Sequence, residues 1–229
     1  MNGDDCRTVH ATLEAAYGPQ GWWPAQTPFE VMVGAVLTQN TAWTNVERAL
    51  ERLTGRIALT AEAILALDEA ALADALRPSG YFNVKARRLR SFCQGFLAGG
   101  GLAGLAALDT QGLRRHLLDI PGIGPETADD ILLYAFERPV FVVDAYTRRV
   151  FSRLGLLGGD EGYEAIRDAF ETALGADVPL FNAYHALIVR HGKDVCRKRP
   201  RCQTCCLRSG CPTGHEIGSS LPGQTRRPP

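Results

Sequence analysis

The sequence predicts an all-α fold, and three observations carry that prediction. Apolar residues recur at three- and four-residue spacing along nearly all of the chain. No segment shows the two-residue alternation of a half-buried strand, and glycine or proline punctuates the junctions. With 229 residues and 45% hydrophobic content, the chain can bury a real core in one large domain or two small ones.

The elements follow in order. Phe29 to Thr38 (FEVMVGAVLT) is apolar nearly all round, as a buried central helix is. Trp43, Val46, Leu50 and Leu53 then recur at helical spacing, with Asn45, Glu47, Arg48 and Glu51 on the wet side. Ala61 to Leu76, rich in Ala, Leu and acids, reads as one helix. Leu89, Phe92, Phe96 and Leu97 form a stripe behind Arg87, Arg88 and Arg90, and Gly99, Gly100 and Gly101 break it. Leu113, Leu117 and Leu118 lead into a Pro-Gly turn at 121–124, beyond which Ala128, Ile131, Leu132 and Ala135 share a face. Arg148 to Leu154, Tyr163 to Leu174 and Leu180 to Arg190 complete the helices. Residues 213–229 lack apolar periodicity and are expected to be a disordered tail.

Several classes are disfavoured by composition. Met1 is followed by Asn2, Gly3, Asp4 and Asp5 rather than a basic and then apolar stretch, which argues against secretion and for a cytoplasmic protein. No apolar run approaches the roughly 20 residues of a membrane span, so no membrane partner is expected. Net charge is zero, so any attraction to nucleic acid must be local. Two basic groups supply it: Arg87, Arg88 and Arg90, and then Arg197, Lys198, Arg199, Arg201 and Arg208 among the last cysteines.

Those cysteines are spaced Cys196-x5-Cys202-x2-Cys205-x5-Cys211. Four soft thiolates at short, unequal intervals suit the corners of an iron–sulfur cluster, here [4Fe-4S]. The spacing is neither that of paired CxxC zinc knuckles nor that of the ferredoxin run. A zinc site and unrelated free thiols are the plainer alternatives, and Cys206 makes the set 196, 202, 206, 211 arithmetically possible. His185 and His191 precede the cysteines. His185, on an apolar helix, reads as a core histidine, and neither is counted as a ligand.

Ile120-Pro121-Gly122-Ile123-Gly124 between two helical stripes is the pattern of a helix–hairpin–helix. Gly122 and Gly124 let the backbone turn tightly and leave N–H groups at a helix start for a phosphate. Twenty residues on, Asp144 ends an apolar run just before a helix, where it is an N-cap, a role compatible with facing a substrate. All three tryptophans, Trp22, Trp23 and Trp43, lie early in the chain, either as core residues or as an aromatic pocket for a base.

Taken in order, these motifs resemble the endonuclease III family of helix–hairpin–helix (HhH-GPD) DNA glycosylases over about residues 10–211. The matching stretches are Leu37-Thr38-Gln39-Asn40-Thr41, Gly80-Tyr81-Phe82-Asn83-Val84-Lys85-Ala86, the hairpin, Asp144 and the four cysteines. Cys205 is preferred over Cys206 because it preserves the family's gaps. The resemblance implies a six-helix barrel over 22–136 and a cluster domain made of 1–21 and 137–212, with a monomer binding duplex DNA across the cleft. It implies excision of a damaged base after the nucleotide is flipped out. In that scheme Asp144 stabilises the cationic sugar and helps position a water, Gln39 fills the gap left by the base, and Arg199 with its basic neighbours meets phosphates. Lys85 is a DNA-backbone contact or a structural residue.

One departure is informative. Members that also cut the strand carry a Lys two residues after the last hairpin glycine, for a Schiff base with the sugar. This chain has Pro125-Glu126 there, and no Lys lies between Lys85 and Lys193. The expectation is a glycosylase with little or no lyase activity. Glu126 is either a pocket carboxylate or an acid favoured by the helix dipole. The tract WWP…LTQNTAW with Gly-x-Glu at the hairpin is similar to the 3-methyladenine-releasing branch, which points to alkylated purines. Excision of mismatched T or A, excision of oxidised pyrimidines, and non-catalytic damage binding are the alternatives.

Overall fold

The computed structural model of the chain describes residues 2–23 and 25–219. Thirteen α-helices and no strand are found among the described residues. Helix α1 (Gly3–Tyr17) opens the chain. Then come α2 (Pro28–Thr38), α3 (Trp43–Thr54), α4 (Ala61–Ala66), α5 (Glu69–Ala75), α6 (Phe82–Ala98), α7 (Gly101–Ala106), α8 (Thr110–Leu118) and α9 (Pro125–Phe136). Last are α10 (Ala145–Arg153), α11 (Tyr163–Leu174), α12 (Val178–Asp194) and α13 (Pro212–Ser219).

The chain forms two compact units, Trp23–Val140 and Met1–Trp22 with Phe141–Pro229. In the first, the all-round apolar α2 is the central element: every residue from Val31 to Leu37 is buried, packed on α3, α6 and α9. Its partners contribute amphipathic faces, such as Val46, Ala49, Leu50 and Leu53 of α3 and Leu89, Phe92 and Cys93 of α6. Each fully buried Leu or Phe contributes about 1.5–3 kcal/mol against leaving it in water, and this stripe-to-stripe burial is what turns short helices into a stable unit.

Three sequence expectations are corrected. The helix read over 61–76 is two helices, because the Asp68 carboxylate accepts from Ala70 N and Ala71 N and so starts a new helix at Glu69. The boundary expected at 136/137 lies at 140/141. Arg138 donates to Ala106 O and Leu108 O (2.9 and 3.2 Å), and Val140 enters the core of the first unit, which keeps 137–140 there. The tail expected from 213 begins as helix α13, with Pro212 at the first helical position, where its missing N–H costs nothing. Residues 220–229 lie outside the described residues.

The second unit is built on aromatics. Phe141 stacks on Phe170 at 4.0 Å, Phe151 meets Phe170 edge-on at 4.7 Å, and Phe181 closes on Phe141 at 5.4 Å. Tyr184 joins them, and its hydroxyl donates to Cys6 O at 2.7 Å, tying α1 to α12. No helix among the described residues is long and apolar enough to cross a membrane.

Candidate active site

In the first unit the hairpin joins α8 to α9, and Arg114 braces the two helices by donating from two nitrogens to the buried Asp129 carboxylate at 2.7 and 3.2 Å. The two hairpin glycines are required for different reasons. Gly122 has φ +92°, and a Cβ there would stand 2.5 Å from Arg88 Cγ. Gly124 has φ −97°, and a Cβ there would meet nothing within 4 Å. Neither strain nor packing explains Gly124. It caps α9 with no side chain of its own over the positive helix end, where a backbone N–H can meet an anion.

Gln39 ends α2 and is drawn onto this hairpin. Its Nε2 donates to Gly122 O at 3.2 Å and to Thr127 Oγ1 at 3.0 Å, while Arg88 donates to its Oε1. The side-chain amide is therefore fixed, not a loose surface group. Of the upstream arginines, Arg90 is spent on Leu65 O and Leu67 O (3.2 and 2.9 Å), Arg88 on Gln39, and Arg87 stands exposed.

Lys85 is not placed to meet DNA. It is 2% exposed, and its Nζ donates to Leu37 O at 2.8 Å and Ser79 O at 2.6 Å. Burial, with the charge of Arg88 second, pushes its ammonium down to about 8. Of the two roles the sequence left open, the structural one fits this geometry.

Trp23 lies edge-on to Trp43 at 4.9 Å and near Tyr134 at 5.0 Å, all three half-buried against the α2 core. Gly34 makes room for this: a Cβ there would press on Trp43 at 3.2 Å and on Trp23 at 3.3 Å. Trp43 Nε1 donates to Glu47 Oε1 at 2.9 Å. Trp22, also half-buried, belongs to the other unit. Glu126 sits exposed in the first turn of α9. Tyr81, which the sequence did not single out, is 72% exposed in a left-handed conformation at φ +46°.

In the second unit Asp144 caps α10. Its Oδ1 accepts from Thr147 N at 2.7 Å and Thr147 Oγ1 at 2.9 Å. Its Oδ2 is 3.7 Å from Nε2 of His185. Burial raises the carboxyl's pKa, but the nearby His185 and the two Thr147 donors outweigh it and hold the group below the usual carboxylate range. The N-cap role and an ionised, held carboxylate thus coexist in one residue. His185, read as a core histidine, is indeed buried, yet it faces the carboxylate. A lone His on an apolar helix carries no sequence signal for that pairing.

Arginines one helical turn apart on α10 hold the cysteine loop. Arg149 donates to Cys196 O and Gly192 O, both at 2.8 Å, and Arg153 to Arg197 O at 2.6 Å, Lys198 O at 3.1 Å and Cys196 Sγ at 3.3 Å. Cys196, Cys202, Cys205 and Cys211 line one cavity, whereas Cys206 lines a different one beside α1. All are free thiols. Among the described residues no three His, Cys, Asp or Glu side chains are gathered as the ligands of a single metal ion are. Burial pushes the Cys205 thiol up to about 11 and raises Cys211 as well. His191, its pKa pushed down to about 4 by burial, places Nδ1 2.8 Å from Tyr17 Oη and Nε2 3.7 Å from Cys205 Sγ. Arg197, Lys198, Arg199, Arg201 and Arg208 are all exposed around the loop.

Comparison with known proteins agrees with this arrangement. Residues 33–175 match the HhH-GPD superfamily of base excision DNA repair proteins. The chain is 47% identical over 206 residues to a candidate DNA repair glycosylase of Methanocaldococcus jannaschii, covering 89% of this chain and 94% of that one. It is 33% identical over 185 residues to endonuclease III of Sulfolobus acidocaldarius, covering 80% and 81%. Among solved structures, the 3-methyladenine DNA glycosylase MagIII of H. pylori bound to 1,N6-ethenoadenine superimposes with a TM-score of 0.72 at 28% identity, over 84% of this chain and 98% of that one. An endonuclease III–DNA complex superimposes with a TM-score of 0.83 at 21% identity, over 96% and 100%, a likeness of fold. The chain belongs to the endonuclease III branch of the HhH-GPD superfamily of base-excision DNA glycosylases.

Proposed function

We propose that this protein is a monofunctional DNA glycosylase, acting as a monomer, that releases alkylated purines from duplex DNA. The observation that carries the monofunctional reading is the fate of Lys85. It is the only lysine in the 23–140 unit, and its amine is buried on two carbonyl oxygens. Pro125 and Glu126 hold the hairpin positions where a Schiff-base amine is otherwise expected, and a carboxylate forms no imine.

The chemistry assigned to the residues is hydrolysis of the N-glycosidic bond. The bond breaks with both electrons leaving on the base. The ionised Asp144 lies where positive charge develops on the sugar, and a water adds at the anomeric carbon and gives up a proton to it. An N-alkylated purine already carries positive charge and departs as a neutral base, so it needs less assistance than a normal one. The half-buried faces of Trp23 and Trp43 offer such a base stacking and cation–π attraction. Likeness to MagIII adds support for this substrate class. The amides of Gly124 and the first turn of α9 anchor a phosphate, and Gln39 stands beside them. Glu126, exposed at that helix start, complements the dipole.

Cys196, Cys202, Cys205 and Cys211 would hold a [4Fe-4S] cluster. Four sulfurs around one cavity, at the unequal spacing of the sequence, support a group of several iron and sulfur atoms. When bound, the cluster supplies a rigid, thiolate-anchored core for a loop that carries five exposed basic residues toward phosphates.

Duplex DNA carrying methylated purines, incubated with wild type and with Asp144→Asn and analysed before and after alkali, tests the proposal. Base release with nicking only after alkali, lost in the variant, is expected. Nicking without alkali would show an amine acting as lyase and overturn the monofunctional reading. Release from mismatched or oxidised bases but not from methylated ones would overturn the substrate class.

A further inference from the structure

The two oxygens of Asp144 have different neighbours. Oδ1 takes both donors of Thr147, at 2.7 and 2.9 Å, and so is held by its own helix. Oδ2 faces Nε2 of His185 at 3.7 Å, from α12, which packs directly on α10. Both residues are buried, 9% and 4% exposed. A carboxylate bound through one oxygen still swings its second one about that anchor, and in a dry site it drifts toward the neutral acid. A partner on the second oxygen from another helix removes both freedoms.

We propose that His185 is a positioning residue for the glycosylase reaction, holding Oδ2 so that the Asp144 carboxylate keeps one plane and stays ionised. This rests on the reading of Asp144 as the carboxylate that meets the sugar. The separation is one of charge attraction rather than a short hydrogen bond, so the effect is exerted mainly on the carboxylate's ionisation. The depressed pKa of Asp144, with His185 foremost among the groups lowering it, agrees. Of the other groups on these elements, Arg148 donates to Glu161 O and Arg149 to Cys196 O (each 2.8 Å), while Tyr184 donates to Cys6 O. Tyr163 of α11 accepts from Val143 N at 3.4 Å, and His10 of α1 packs edge-on against Tyr184.

The test compares wild type, His185→Gln, which keeps a donor of similar reach, and His185→Leu, which keeps bulk alone. Single-turnover base release from methylated duplex DNA is followed across the acid limb, with Asp144→Asn in parallel. Expected are a roughly tenfold slower His185→Leu enzyme, its acid limb displaced upward by about one pH unit, unchanged DNA affinity, and His185→Gln lying between it and wild type. Coincident acid limbs in all three would overturn the inference, even if rates fell through packing. If the leucine variant does not fold, the glutamine variant decides by the same criterion. A second readout needs no activity: the Asp144 carboxyl carbon resonance, assigned by its absence in Asp144→Asn, should titrate at higher pH without His185. Equal titration in wild type and variant would overturn the proposal. Retained activity in Asp144→Asn would sink the reading of function instead, leaving the titration to judge His185.

Discussion

Lys85 donates to the carbonyl oxygen of Leu37 across 2.8 Å, at the C-terminal end of α2, where helix carbonyls have no partner of their own. The same ammonium holds Ser79 O, so one buried side chain closes the end of the central helix and the turn before α6. Lys85→Met keeps most of the apolar volume but leaves two acceptors unmet. A loss of about 2–4 kcal/mol in unfolding free energy is expected, with the salt dependence of DNA binding unchanged. A reduced salt slope in denaturant-matched binding assays would show that the lysine meets phosphate after all.

Substituting the hairpin glycines separates folding from binding. Gly122→Ala forces a Cβ into Arg88 and an L residue to φ +92°, and should cost about 1–3 kcal/mol of stability. Gly124→Ala meets no atom and needs no unusual dihedral, so its melting temperature should stay within a degree or two of wild type. Its affinity for duplex DNA should nevertheless fall, because the methyl group stands beside the amides offered to phosphate. Equal melting temperatures for the two variants would refute the distinction.

At Asp144 the capping and chemical roles separate by choice of substituent. Asparagine caps as well as aspartate, so at neutral pH Asp144→Asn should fall below wild type only by the carboxylate's ionic contribution, whereas Asp144→Ala should lose about 1 kcal/mol more. Because the folded carboxyl lies below the usual range, its ionised form contributes stability above about pH 4 and loses it as pH falls through the folded value. The stability gap between wild type and Asp144→Asn should therefore narrow on acidification. A gap that widens in acid would mean that the folded pKa is raised.

The cysteine assignment is tested by iron and sulfide content. Cys205→Ser should lower both and bleach the visible absorption, whereas Cys206→Ser, at a thiol lining the other cavity, should leave them intact. A colourless wild type containing zinc would replace the cluster altogether.

Arg199 offers an electrostatic test. Exposed on the cysteine loop, it should lower the slope of log affinity against log salt by about one when changed to Ala, weakening all duplexes alike. Selective loss for damaged duplex alone would place it at the lesion instead.

Periodicity made most of the fold legible. Helices α2, α3, α6, α8 and α9 stand where apolar spacing put them, because a stripe that must be buried dictates its own helix. What failed was local competition. Asp68 captures amide groups in mid-helix, and Pro212 starts a helix too short for periodicity to register. The candidate site was legible where a residue type is demanded by chemistry at a fixed spacing: the four cysteines, the hairpin glycines, and the aspartate before a helix.

The sequence by itself determined the all-α class, the motif order that marks the family, and the absence of a hairpin lysine, since each is a property of neighbours along the chain. Only the tertiary structure decided which polar atoms face each other. Lys85 could not be known to turn inward onto Leu37 O, nor Gln39 to lock onto Gly122 O, nor His185 to face Asp144 from another helix. These partners are separated by 48, 83 and 41 positions. Contacts of that range depend on how helices pack, and packing is set by the fit of whole faces, which no local pattern of residues records.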